Sequence, residues 1–213
     1  GGTSPTTAAH VLADLDGRIV AVLDGGATSV GVESTVLDVA ARAIYRPGAV
    51  TAAMIAEAIG EEVRVVSGVV KEAKADSSAA LRNDKQERRD DKLGGLRNGK
   101  GVGLASPGMG MRHYAPRARL VLVAGQEEML REVANYSADE VGVMLPDGWN
   151  AGGAGAVWRW GAWGDAEVLA RLLFAGLRML DGRGVKAIVC PVPRMDGLGE
   201  ALRDRLEKAA RMK

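Results

Sequence analysis

Two stretches of this chain carry residue types able to do chemistry, and they lie far apart in the sequence. The first is Gly25-Gly26-Ala27-Thr28-Ser29-Val30-Gly31-Val32-Glu33-Ser34-Thr35-Val36-Leu37-Asp38, which leads on to Ile44-Tyr45-Arg46-Pro47-Gly48. A glycine-rich turn feeding an alternating strand puts the Ser34 and Thr35 hydroxyls on opposite faces. A second short strand then ends at Arg46, beside a Pro-Gly turn. Neighbouring strand ends of this kind offer hydroxyls, glycine amides and a guanidinium, a set suited to anionic oxygens. The plainer reading is a hairpin with a buried Ser/Thr pair and an exposed arginine, and pattern alone favours it.

The second stretch is Ser106-Pro107-Gly108-Met109-Gly110-Met111-Arg112-His113-Tyr114-Ala115-Pro116. It has neither helical nor strand periodicity. Pro107 and Pro116 remove backbone donors, and Gly108 and Gly110 cost backbone entropy, so it does not order itself. A polar cleft or a bound ligand would give Arg112, His113 and Tyr114 partners. Composition by itself reads as a tether between domains.

The elements that must position these residues follow from periodicity and caps. Thr6 or Thr7 caps a predicted helix over 8–16 that Gly17 stops. A strand is predicted over 18–23, and Thr51 caps a helix with Ala52, Ile55, Ala56 and Ile59 on one face, ended by Gly60. Residues 63–66 read as a short strand. From Leu120 onward strands and helices alternate: strand 120–123, helix 126–136, strand 140–145, strand 156–160. Then come a helix capped by Asp165 with Leu169, Leu172, Leu173, Gly176 and Leu180 on one face, strand 186–190, and helix 198–210. That order predicts an α/β chain: part of a twisted α/β unit, a linker, then a Rossmann-like parallel sheet wrapped by helices. Val123-Ala124-Gly125-Gln126 is not the glycine fingerprint of dinucleotide binding.

Composition narrows the function classes. Apolar residues make up 47% of the 213, enough for a core. With 28 basic and 27 acidic residues, no global field draws in nucleic acid or membrane. Residues 69–100 are charge-dense, but Asp84, Glu87, Asp90 and Asp91 interleave with the basic residues, so a solvated insertion is favoured over an RNA-binding arm. Cys190 is the one cysteine, which rules out an intrachain disulfide and suits a reducing, cytoplasmic setting; its apolar run argues for burial. Two histidines and one cysteine do not make a zinc cluster. Trp149, Trp158, Trp160 and Trp163 read as an aromatic plug in a core or at an interface rather than as a base-stacking platform.

Four blocks together carry a resemblance: Ser4-Pro5-Thr6-Thr7, Val32 through Asp38, Arg46-Pro47-Gly48, and Ser106 through Pro116. In order and spacing they resemble threonylcarbamoyl-AMP synthase in its two-domain form. The tail resembles the accessory domain of that family in Val141-Gly142-Val143-Met144, Arg159-Trp160-Gly161, Arg178-Met179-Leu180-Asp181 and Gly197-Leu198-Gly199. The resemblance implies that 1–68 is the C-terminal part of the catalytic domain, whose fold is like that of double-stranded-RNA-binding proteins. It further implies that 69–118 is a charged insertion and an active-site-covering linker, and that 119–213 is the accessory domain. Members begin with a longer portion carrying a basic Lys/Arg motif and a Ser-x-Asn motif that grip ATP. The chain opens just after that point, so it reads as an N-terminally truncated fragment.

The activity implied by the resemblance is nucleotidyl transfer. L-Threonine, bicarbonate and ATP with Mg²⁺ give L-threonylcarbamoyladenylate and pyrophosphate. The product is passed to a tRNA threonylcarbamoyltransferase complex that modifies the adenosine next to the anticodon. Carried over by position, Ser34 holds L-threonine, Ser4 contacts the nucleotide, and Arg46 pairs with phosphate as the catalytic cation. His113 and Tyr114 close over the nucleotide, with Arg112 assisting and Gly108 and Gly110 letting the segment swing. Glu33 is either a structural carboxylate or one that orients Arg46. No metal ligand is assigned to the chain, no membrane role is implied, and direct tRNA contact stays open. A non-catalytic RNA-binding module and a regulatory or assembly module are the other classes.

Overall fold

The computed structural model describes residues 2–66 and 114–211. The insertion at 69–100 and the tether positions through His113, including Arg112, Gly108 and Gly110, lie outside the described residues.

Among the described residues, five strands and helices precede the tether and eight elements follow it. The first group is α1 (Ala8–Leu15), β1 (Val36–Asp38), β2 (Ala43–Arg46), α2 (Ala52–Ile59) and β3 (Arg64–Val65). Side-chain caps set both helix starts: Thr7 accepts from the His10 amide and Thr51 from the Met54 amide. Gly60, left-handed at φ 71°, ends α2. β1 and β2 pair antiparallel and β2 and β3 parallel, in the order β1-β2-β3. This sheet has little interior of its own: Ala43, Ile44 and Ile55 are its buried apolar residues.

Two expectations for this part fail. Residues 18–23 do not form a strand, and Val20 and Leu23 stand fully exposed. The run has strand-forming residues but no described strand beside it to share hydrogen bonds. The strand expected to carry Ser34 and Thr35 is confined to Val36–Asp38. Upstream of it the backbone serves other partners: the Ser34 carbonyl accepts from Arg46 Nε at 3.0 Å, and the Thr35 hydroxyl donates to the Val50 carbonyl at 2.6 Å.

The second group is β4 (Arg119–Val123), α3 (Gln126–Val133), a 3₁₀ turn (Ala138–Glu140), β5 (Val141–Pro146), β6 (Ala156–Gly161), α4 (Ala166–Gly182), β7 (Ala187–Pro191) and α5 (Leu198–Ala210). β4, β7, β5 and β6 form an all-parallel sheet in that order. Strand alternation sends side chains to two cores. Leu120, Met144, Ile188 and Cys190 face α4 and α5, whereas Val123, Val143, Leu145 and Val189 face Met129 and Val133 of α3. A parallel sheet covered on both faces explains the unbroken apolar runs in β5 and β7. Trp160 is fully buried and its Nε1 donates to the Leu169 carbonyl at 2.8 Å; Trp163 meets it edge-on at 6.2 Å and packs, tilted, against Trp149 at 5.1 Å. Those tryptophans are core and rim, as the plug reading expects. Cys190 is buried, and burial pushes its thiol well up.

Candidate active site

The site is assembled from both ends of the sequence. Arg46 closes β2 opposite Val36, and from there its guanidinium folds back along the chain before β1. Nε lies on the Ser34 carbonyl at 3.0 Å and Nη2 on the Ser34 hydroxyl at 3.3 Å. The Pro47-Gly48 turn makes this approach possible. A Cβ on Gly48 would stand 2.4 Å from the Thr35 amide nitrogen and 2.6 Å from the Glu33 carbonyl oxygen. Only glycine lets these two backbone segments touch.

Ser4 and Ser34 are connected through Glu33. One carboxylate oxygen of Glu33 accepts from the Ser4 hydroxyl, and the other accepts from Arg205 Nε at 2.8 Å. Burial alone would push the Glu33 carboxyl up. The Ser4 and Arg205 hydrogen bonds and the Arg205 charge outweigh it and hold the group below the usual glutamate value.

Tyr114 brings the tether into the same cluster. It is buried, its ring packs on Phe174 of α4 at 5.7 Å, and Arg205 lies over its face at 5.4 Å. Its phenol is within hydrogen-bonding reach of Arg46. Burial and the Glu33 charge push the phenol pKa up, against the opposing charges of Arg205 and Arg46, so it is neutral at ordinary pH. The backbone at Tyr114 is left-handed, φ 64°, a conformation a non-glycine residue adopts at a cost of about 1 kcal/mol or more. The ring packing and the arginine contacts hold it there.

Of the residues singled out from the sequence, Ser4, Ser34, Arg46 and Tyr114 are thus brought together, while His113 lies outside the described residues. Sequence reasoning left Glu33 unassigned and missed Arg205. The signal for Arg205 was present: it falls on the helical stripe of Leu198, Leu202 and Ala209, where a charge demands a partner. It also missed how Arg178 of α4 binds the chain's start. Its Nη1 donates to Asp14 at 3.0 Å, its Nε to the Ser4 carbonyl at 3.3 Å, and its Nη2 to the Thr3 carbonyl. His10 serves α1, with Nδ1 accepting from the Thr6 amide at 3.1 Å.

A groove of about 520 Å³ runs beside Ser34 and Thr35, with Val30, Val32, Leu37, Ala49, Val50 and Ile55 as its apolar walls. A larger cavity of about 710 Å³ lies between α1 and α4, lined by His10, Asp14, Trp158 and Arg178 among others, and includes none of Ser4, Ser34, Arg46 or Tyr114. Size does not make it the centre of the chemistry, because the convergent hydroxyls and Arg46 are elsewhere. Among the described residues no group of three or more His, Cys, Asp or Glu side chains is placed to hold a metal ion. No described helix is long and apolar enough to cross a membrane.

The sequence and the fold both match known proteins. Residues 50–211 match the family described as threonylcarbamoyl-AMP synthase, C-terminal domain. The chain is 33% identical over 221 residues to the threonylcarbamoyl-AMP synthase of Pyrococcus abyssi (strain GE5 / Orsay), covering 99% of this chain and 55% of that protein. It is 33% identical over 217 residues to the protein of that name from Bacillus subtilis (strain 168), covering 99% and 54%. The crystal structure of P. abyssi Sua5 complexed with L-threonine superposes with a TM-score of 0.71 at 32% identity, over 99% of this chain and 55% of that one. The chain therefore spans about half the length of the curated relatives it matches. With the family model matching residues 50–211 and the fold shared with a solved relative, the chain belongs to the threonylcarbamoyl-AMP synthase C-terminal domain family.

Proposed function

We propose that this chain forms one wall, the cover and the accessory domain of a nucleotidyltransferase. The enzyme makes L-threonylcarbamoyladenylate and pyrophosphate from L-threonine, bicarbonate and ATP. The product then serves threonylcarbamoyl modification of tRNA adenosine next to the anticodon, by way of a tRNA threonylcarbamoyltransferase complex. The observation that carries this reading is the approach of Tyr114, from the tether, to Arg46, which in turn holds Ser34, both of them far earlier in the chain.

In the proposed reaction the threonine amine and bicarbonate give a carbamate and water. A carbamate oxygen then bonds to the α-phosphorus of ATP as the α–β bridging bond breaks and pyrophosphate leaves. Displacement at phosphorus chiefly needs in-line positioning and balanced charge on the non-bridging oxygens. Hydroxyls, amides and a guanidinium suffice on the protein side. The Ser34 hydroxyl, at the polar edge of a small apolar groove, suits an amino acid bearing a methyl and a hydroxyl. Arg46 supplies positive charge beside it, Ser4 contacts the nucleotide, and the neutral Tyr114 phenol donates to a phosphate oxygen from above, with His113 as its neighbour. Mg²⁺ enters as part of the nucleotide substrate. The Glu33 carboxylate is taken up by Ser4 and Arg205, so the metal would ride on the triphosphate. The product is a mixed anhydride that water destroys, which gives a cover its purpose.

L-Threonine- and bicarbonate-dependent ATP–pyrophosphate exchange tests the reading. The full-length gene product is expected to catalyse it. The 213 residues alone are expected not to, since they span about half the length of the threonylcarbamoyl-AMP synthases they match. Ser34→Ala should raise the KM for L-threonine about tenfold, the worth of one hydrogen bond in a formed site, with little change in the KM for ATP. Tyr114→Ala should increase hydrolysis of the intermediate per turnover. Unchanged turnover with no added hydrolysis in that variant would remove the cover from the mechanism.

A further inference from the structure

Arg205 touches both halves of the proposed cleft. Its side chain is fully buried on α5 and every edge of the guanidinium is engaged. Nε donates to Glu33 Oε2 at 2.8 Å, Nη2 to the Glu33 carbonyl at 3.5 Å, and Nη1 to Asp204 at 2.7 Å. Asp204 is held in turn by Lys208 at 2.8 Å. The flat face of the same group lies against the Tyr114 ring. An arginine at this helix position is a poor choice for stability alone. An apolar side chain of similar volume in the Leu198–Leu202–Ala209 stripe would be neutral or better, because desolvating a buried ion pair offsets its attraction. What the guanidinium does that an apolar residue cannot is fix two other groups in direction: a carboxylate along its edge and an aromatic ring over its plane.

From this geometry we infer that Arg205 is a positioning residue for the proposed nucleotide site. Its edge holds Glu33, and through it the Ser4 hydroxyl beside Ser34. Its face holds Tyr114 in its left-handed backbone conformation next to Arg46. The four-stranded unit thereby sets the spacing between the wall and the cover. This role rests on the functional reading above, and the test is built to separate the two.

Arg205→Met and Arg205→Lys are compared with wild type in the full-length gene product by two measurements. The first is exchange kinetics: the KM for ATP should rise about tenfold in Arg205→Met, the effect of one lost charge-assisted hydrogen bond. It should rise less in Arg205→Lys, which keeps the charge without the fork, while kcat falls less than about threefold in both. The second measurement does not need activity. With 3-fluorotyrosine incorporated, the resonance of Tyr114, assigned by its loss in Tyr114→Phe, should move in both variants, while that of Tyr136, packed against the other core, stays in place. A lowered melting temperature with the KM for ATP and the Tyr114 resonance as in wild type would make Arg205 a merely structural residue and overturn the inference. Should wild type show no exchange, the functional reading falls and the Tyr114 resonance alone decides: movement supports the positioning, and an unmoved line overturns it. If Arg205→Met does not fold, Arg205→Lys carries both measurements.

Discussion

Glu33 accepts hydrogen bonds on both carboxylate oxygens while lying mostly out of water, and that fixes how it responds to acid. Its folded pKa is below the ordinary glutamate value because Ser4 and Arg205 favour the ionised form more than burial disfavours it. A depressed carboxyl pKa stabilises the fold fully above the unfolded value, about 4.3, and that stability is lost as pH falls through the folded value. Glu33→Gln should therefore cost about 2–3 kcal/mol at pH 7, where it leaves Arg205 buried beside a neutral amide. The gap to wild type should narrow at pH 3.5, because below about 4.3 the unfolded wild type takes up a proton that the folded Glu33 resists. Urea unfolding at the two pH values measures both. An equal gap at the two values would mean that folding does not lower the Glu33 pKa and that the reading of its surroundings is wrong.

At the scale of elements, the short segment Gly31–Val32 is where the first part of the chain meets α4. A Cβ on Gly31 would stand 2.3 Å from the Ala170 carbonyl oxygen and 2.4 Å from the Arg171 Cα, and its φ is 80°. Neither atom belongs to a flexible side chain, so Gly31→Ala should cost about 2–4 kcal/mol by chemical denaturation, combining backbone strain with displacement of the segment from the helix. A cost below about 1 kcal/mol would mean the segment does not rest on α4. Elements like this one divide what sequence pattern reveals from what it hides. The caps Thr7, Thr51 and Asp165 and the limits of α5 were readable because they depend on neighbours three or four residues away. So was the strand–helix alternation after Leu120. The run 18–23 misled because strand propensity is local, whereas a strand exists only beside another. Arg46 and Ser34 were legible by residue type. The grip of Arg205 on Glu33 was not, since it spans 172 positions and depends on how α5 lies against the first sheet.

For the whole molecule, the question is whether the small three-stranded sheet stands by itself. Among the described residues its buried apolar side chains are few, far short of what an independent core needs, and two arginines from the other sheet's helices bind the segments that precede it: Arg178 to Asp14 of α1 and the Thr3 and Ser4 carbonyls, Arg205 to Glu33 before β1. The two grips use different helices but meet at Ser4, whose carbonyl Arg178 holds and whose hydroxyl bonds Glu33, so the double removal should depart from the sum of the single ones by about 0.5 kcal/mol or more. All four tryptophans lie between 149 and 163, and of these Trp158 lines the cavity shared with α1, so their emission reports mainly the four-stranded unit, whereas far-ultraviolet circular dichroism reports both parts. In wild type the two signals should trace one urea transition. In Arg178→Ala/Arg205→Met the circular dichroism should fall first, as the small sheet and α2 unfold, with tryptophan emission following at higher urea. Amide exchange should localise the early loss to β1 and β2 and leave β5 and β7 protected. Coincident transitions in the double variant would mean that the apolar contacts of Tyr114 and Val32 with the larger core unite the two sheets, leaving the arginines to orient a surface that packing already holds.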